Sequence, residues 1–166
     1  MKHEVEAVWF IVMLAIILGY FSWEIVQIQA GTNVSFRYGL PLYSGMPKQA
    51  QEAVTYFNAH PPVNHTSEVV NGILVVNMTV YQYYYLPNLI KVTPGQQIVL
   101  IINSPQVITG IYLRLPNGVI NVNAVPGIPS YVYFVAPTTQ GNYTWYEPEY
   151  AGYAFSTNMT GVLEVV

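Results

Sequence analysis

Two patterns of apolar and polar positions divide the chain. From Ala7 to Trp23 it runs 17 residues without a charge, and after Glu24 the apolar character resumes in Ile25-Val26-Gln27-Ile28. A helix over Ala7–Ile28 would extend about 33 Å, close to a hydrocarbon core of about 30 Å. Trp9 near one end and Tyr20, Phe21 and Trp23 near the other suit the two interfacial belts. The segment predicts one transmembrane helix, with Met13 packed against lipid or helix and Glu24 at the outer interface. A cleaved signal peptide is the competing reading. It is disfavoured because the apolar stretch is too long for an h-region and Met1–Glu6 is as acidic as it is basic.

Beyond the helix the period is lost. Gly31–Pro62 has Gly, Pro and Asn without a sustained repeat, apart from Lys48–Asn58, which suits a short helix. From Val69 onward the pattern is short β-rich runs ended by turn residues. Gly72–Val80 leads into the aromatic Tyr81–Tyr85 and then Pro87-Asn88. Ile98–Ile102, Val107–Leu115, Val119–Val125, Ser130–Val135, Gly141–Tyr146 and Gly161–Val166 follow. Seven or so strands at this spacing predict a Greek-key β-sandwich. The expected division is residues 1–30 as N-terminal segment and membrane helix, 31–70 as an extracytoplasmic tether lying over the domain, and 71–166 as the all-β domain.

Composition narrows the function classes. Hydrophobic residues make up 52% and charged residues 8%, with a net charge of −3 and five basic residues, so no basic patch for nucleic acid exists. There is no cysteine, which excludes disulfides, thiolate nucleophiles, Cys-ligated zinc and iron–sulfur clusters. Three histidines, His3, His60 and His65, are too few and too scattered for a compact multi-His metal site; His60 and His65 are expected in solvent. Orientation is weakly coded by charge, since Lys2 is the only basic residue before the helix. The Asn-x-Ser/Thr triplets say more. They occur at Asn33, Asn64, Asn77, Asn142 and Asn158, all after the helix, where composition predicts roughly one by chance. Glycosylation acts outside the cytoplasm, so the C-terminal portion is expected to be external.

The residues then carry a resemblance. Tyr-Leu-Pro-Asn-Leu-Ile-Lys-Val-Thr-Pro-Gly (Tyr85–Gly95) and Ile-Val-Leu-Ile-Ile-Asn-Ser-Pro-Gln-Val-Ile-Thr-Gly (Ile98–Gly110) resemble the cupredoxin domain of subunit II of haem–copper oxidases. The likeness continues in order through Ile120–Gly127, Gly141-Asn-Tyr143, Glu149-Tyr-Ala-Gly152 and Asn158-Met-Thr-Gly-Val162. The single helix looks most like the B-type oxidases. The resemblance implies an all-β cupredoxin-like Greek-key sandwich behind one transmembrane helix.

In that family the domain holds the dinuclear CuA centre, which takes electrons from cytochrome c. Its ligands are a His in Ser-Pro-x-x-x-His-Gly and then Cys-x-x-x-Cys-x-x-x-His-x-x-Met, with a backbone carbonyl between the two Cys. Two bridging thiolates share charge between the coppers, and imidazole and thioether complete a soft electron-transfer geometry. Here the first His falls on Thr109, the first Cys on Glu147, the carbonyl position on Glu149, the second Cys on Ala151 and the second His on Phe155. The Met falls on Met159 with a one-residue insertion, or on Asn158 without it. Both Cys and both His are gone, so no metal is expected in this chain. Ala151 and Phe155 read as core filler, and Glu147 and Glu149 as solvated or interface-paired carboxylates.

Subunit II domains without CuA resemble those of quinol oxidases, where electrons come from a membrane quinol. The low charge, abundant Tyr and absent Cys resemble the archaeal branch from hot acidic habitats. This implies a non-catalytic subunit of a quinol:oxygen oxidoreductase that reduces oxygen to water and translocates protons. Haem groups and oxygen-site copper are expected in subunit I, which together with other oxidase subunits and the bilayer would be its partners. The chain would sit in the cell membrane as a single-pass glycoprotein with its C-terminal domain outside, as a scaffold on the outer face of subunit I. Tyr81, Tyr83 and Tyr85 alternate and are expected on one strand face, and Trp145, Tyr146, Tyr150 and Tyr153 crowd one loop. Both sets are expected to pack against subunit I. Two rivals remain: a cytochrome c-type oxidase subunit with a donor docking site but no CuA, and a free-standing membrane-anchored surface or envelope protein.

Overall fold

A computed structural model describes residues 2–29, 35–64, 66–148 and 159–166. Contacts divide the chain into two units, Met1–Val34 and Ser35–Val166. The first holds α1 (Lys2–Gln29). Its Val5–Trp23 stretch is long and apolar enough to cross a membrane. Ser22 shows how such a helix carries a hydroxyl: its Oγ donates to the Leu18 carbonyl one turn back, at 2.7 Å.

The second unit is a two-sheet sandwich. Among the described residues its strands are β1 (Ser35–Gly39), β2 (Ser67–Val70), β3 (Ile73–Val80), β4 (Tyr85–Leu86), β5 (Leu89–Val92), β6 (Gln97–Asn103), β7 (Thr109–Leu115), β8 (Gly118–Ala124), β9 (Ser130–Val135), β10 (Gly141–Tyr146) and β11 (Thr160–Val165). One sheet runs β1-β8-β7-β10-β11-β5. The other runs β2-β3-β6-β9, with β4 added beside β3. Non-consecutive neighbours such as β3 and β6, paired in parallel, give the expected crossed connectivity. Asn71 and Gly72, with φ of 51° and 82°, make the tight β2–β3 hairpin, the left-handed pair that this dipeptide supplies most readily.

Strand alternation decides what each sheet buries. In β3, Val76, Met78 and Val80 enter the space between the sheets. They meet Ile98, Leu100 and Ile102 of β6, Ile111 and Leu113 of β7, Ile120 and Val122 of β8, and Leu163 of β11. The odd positions of β3 face the other way: Ile73 and Val75 join Val99 and Ile101 in a second core. Because β3 and β6 are covered on both faces, Ile73–Val76 and Ile98–Ile102 read as unbroken apolar runs rather than as alternating ones.

The cover on that outer face is α2 (Lys48–Ala59), whose Ala50, Ala53, Val54 and Phe57 lie at helical spacing and are all buried. Gln51 Nε2 donates to the Met46 carbonyl at 2.8 Å, and the Tyr43 hydroxyl to the Gln51 carbonyl at 2.7 Å, which fixes the approach to the helix. The short helix predicted at Lys48–Asn58 is therefore present. The picture of residues 31–70 as a tether is corrected, because they supply β1, α2 and β2. Strand β1 extends the first sheet by pairing in parallel with β8, and α2 closes a core of its own. Sequence periodicity marks α2 as a helix but does not say which sheet face it covers.

Candidate functional site

Two of the positions that match copper ligands, Thr109 and Glu147, meet at one end of the sandwich. Thr109 opens β7 and is fully buried, while Glu147 follows β10 and is 5% exposed. Strands β7 and β10 pair antiparallel through Trp145–Leu113 and Tyr146–Tyr112. Thr109 Oγ1 donates to Glu147 Oε1 at 3.1 Å. The expectation that Glu147 is solvated or interface-paired is thus corrected: its carboxyl is an interior group held by a hydroxyl. A bond of this kind to a charged acceptor contributes about 1.5–3 kcal/mol. Gly110 is needed here for space, because a Cβ would sit 2.6 Å from the Val122 carbonyl oxygen and 3.1 Å from Pro148 Cγ. Met159, just before β11, is buried in the inter-sheet core. Glu149, Ala151, Phe155 and Asn158 lie outside the described residues.

This donor set does not fit the copper centre the fold family implies. A threonine hydroxyl and a carboxylate are hard donors already bonded to each other, and Met159 offers only one thioether. The matched positions hold neither thiolate nor imidazole, and the chain has no cysteine. Among the described residues, no group of three or more His, Cys, Asp or Glu side chains comes together.

The aromatic residues around this end take different roles from those expected. Tyr85 and Trp145 are each 2% exposed and meet edge to face, with ring centroids 6.0 Å apart at 86°. The Tyr85 hydroxyl donates to the Gly110 carbonyl at 2.9 Å. Burial, and secondarily the charge of Glu147, raise its pKa far above the usual phenol value. Trp145 lies over Gly161 of β11 so closely that a Cβ there would clash with the indole ring. Its indole nitrogen has no hydrogen-bond partner among the described residues. Tyr85 and Trp145 are therefore core residues, a correction to their expected place on a contact surface.

Tyr81 and Tyr83 do not share a strand face either. Residues 81–84 form a bend between β3 and β4, where Tyr81 stacks on Tyr84 at 4.6 Å and 18°. The Tyr81 amide donates to the Tyr84 carbonyl at 3.0 Å, closing the bend. Tyr83 is left 50% exposed. Tyr146 is on the surface, 45% exposed on the outer face of β10, with its ring 4.9 Å from that of Tyr112 on β7. Tyr112 was legible from alternation, since Ile111 and Leu113 beside it are core residues. Exposed Tyr84 and Ile108 carry no such signal. Tyr150 and Tyr153 lie outside the described residues.

Of the glycosylation triplets, Asn64 lies in the exposed loop before β2, Asn77 within β3, and Asn142 on the exposed outer side of β10. Asn33 lies outside the described residues, as does His65. His60 is exposed at the end of α2, stacked on Tyr56 at 4.5 Å.

Comparison with known proteins places this geometry. No family model matches the chain. It is 57% identical over 166 residues to the quinol oxidase subunit 2 of Sulfolobus acidocaldarius, covering 99% of this chain and 98% of that one. Among solved structures it superposes on a chain of a haem–copper terminal oxidase dimer with a TM-score of 0.60 and 19% identity, covering 98% of this chain and 99% of the other. The periplasmic domain of subunit II of cytochrome oxidase from Bradyrhizobium japonicum gives a TM-score of 0.47 at 18% identity, over 60% of this chain and 88% of that domain. The fold is the cupredoxin-like sandwich behind one apolar helix, and the full-length identity shows that the chain belongs to the quinol oxidase subunit 2 family.

Proposed function

We propose that this chain is the second subunit of a membrane quinol oxidase, a complex that oxidises quinol, reduces oxygen to water and moves protons. Helix α1 anchors it, and the sandwich lies outside the cytoplasm against the outer face of subunit I. The haems and the oxygen-site copper belong to subunit I. Electrons from quinol bypass the sandwich, which serves assembly and cover.

The observation that carries this reading is the Thr109–Glu147 hydrogen bond. Two positions that would hold a copper-ligating imidazole and thiolate hold a hydroxyl and a carboxyl that bond to each other inside the fold. The domain thus keeps the frame of an electron-accepting module with hard oxygen groups where the soft ligands would stand. The name of the near-full-length relative supports the substrate. The five basic residues of the chain offer no charged docking patch for a protein electron donor.

The test is purification of the affinity-tagged chain from its own membranes in mild detergent. The expected result is co-purification of a haem-bearing subunit, reduction of that haem by quinol, and oxygen consumption that is unaffected by copper chelation of the sandwich. A chain that purifies alone, without a haem spectrum, would refute membership of the complex.

A further inference from the structure

As sequence, the five Asn-x-Ser/Thr triplets are equivalent. In the fold the three described ones are not. Asn64 stands in the loop between α2 and β2, beside a fully exposed Val63. Its Oδ1 accepts a hydrogen bond from the Thr66 amide at 3.1 Å, and Thr66 Oγ1 donates to the Asn64 carbonyl at 2.8 Å. Asn64 and Thr66 are thus bonded to each other, and the Asn64 carboxamide is exposed to water. Asn142 is the second residue of β10, and both it and Thr144 are exposed on the outer side of the sheet. Pairing with β7 begins only at Trp145, so one flank of this segment is open.

Asn77 is held on every side. It is the fifth residue of β3, between β2 and β6, and it is half-buried. Asn103 Nδ2 donates to its Oδ1 at 2.9 Å, and its amide donates to the Thr66 carbonyl at 2.7 Å. The strand fixes Thr79 about 6.6 Å along the chain from it, so the triplet cannot fold back without breaking the ladder.

We propose that Asn64 and Asn142 are N-glycan acceptors of the folded domain and that Asn77 is not. The donor is an oligosaccharide activated at its anomeric carbon as a lipid-linked phosphate ester. The carboxamide nitrogen bonds to that carbon, the carbon–oxygen bond breaks with its electron pair leaving on phosphate, and the nitrogen gives one proton to a base. The proposal rests on the external placement of the sandwich proposed above. It also divides the surface. Asn142 and Tyr146 share the outer face of β10 but lie about 13 Å apart along it. A glycan at the first keeps a partner off that end and leaves the Tyr146 end, beside Thr109 and Glu147, open to contact.

The experiment is chymotryptic glycopeptide mass spectrometry on the full chain purified from its own membranes, with intact masses of N64Q, N142Q and N77Q. Sugar is expected on the Asn64 and Asn142 peptides and not on the Asn77 peptide. N64Q and N142Q should each lose the mass of one glycan, and N77Q should lose none. A bare Asn64, a bare Asn142 or sugar on Asn77 overturns the assignment; the last would mean that transfer precedes folding. Labelling Lys91 on intact cells with a membrane-impermeant amine reagent separates the two ways of failing. Bare sites on a labelled chain refute the acceptors and leave the external placement standing, whereas bare sites on an unlabelled chain refute both.

Discussion

The second sheet is covered on its two faces by different physics. Under α2, the apolar side chains Ala50, Ala53, Val54 and Phe57 meet Val75, Val99 and Ile101. Between the sheets, near the copper-matched positions, the interior holds polar groups: the Thr109 hydroxyl, the Glu147 carboxyl, the Tyr85 phenol and the Trp145 indole. The α2 face asks for volume, and any apolar shape that fills it will serve. The other end asks for partners, because a buried polar atom left without a hydrogen bond costs stability; the Thr109 and Tyr85 hydroxyls have theirs. The end that matches the copper positions is therefore a place where chemistry, and not only size, restricts the sequence.

The largest effect should come from Trp145→Ala, which removes a fully enclosed ring from above Gly161 and should destabilise the full chain in detergent by about 3–5 kcal/mol. Thermal unfolding followed by circular dichroism measures it. An undiminished melting temperature with easier loss of the haem-bearing subunit would instead restore Trp145 to a contact surface.

Thr109→Val sharpens the contrast. It keeps the shape and withdraws the donor from Glu147, and should cost about 1–3 kcal/mol, whereas Phe57→Leu under α2 should cost less than about 1.5 kcal/mol. Equal losses in denaturant titrations would show that the two faces obey the same rule.

Tyr85→Phe should cost about 0.5–1.5 kcal/mol through the bond to the Gly110 carbonyl, and it should also change the alkaline limb of stability. The folded pKa of Tyr85 is raised above the usual phenol value, chiefly by burial and then by Glu147. The folded state thus holds the phenolic proton more tightly than the unfolded chain does. Stability from this group is complete below pH 10 and falls as pH rises beyond it. Melting curves across that range should decline for the natural chain and flatten for the variant.

The smallest effect belongs to the surface. Lys91 and Glu164 pair at 2.9 Å across β5 and β11 with the lysine side chain 63% exposed, and Lys91→Ala should change stability by less than about 1 kcal/mol. A larger loss would mean that this edge of the sheet is covered in the assembled protein.

Some of this was decided by the sequence. Seventeen uncharged residues mark a segment apolar and long enough, with its flanks, for a helix that crosses a bilayer. The absence of cysteine removes copper–thiolate chemistry before any fold is known. Alternating runs such as Gly118–Ala124 carry their faces in their own period, and Asn71-Gly72 announces a hairpin. Other features wait for the tertiary structure, since they depend on what a residue meets across space. Tyr83 and Tyr85 are the same residue type two positions apart, yet one is exposed and the other closes the core, because the chain bends at 81–84 before β4 begins. Glu147 reads as a surface carboxyl until Thr109, 38 residues earlier, is brought beside it. Residues 48–59 read as part of a tether until a sheet face with Val75 and Ile101 exists to bury them. Periodicity is local and survives in the sequence, whereas burial and partnership are pairwise and long-range, and only the packed sheets determine them.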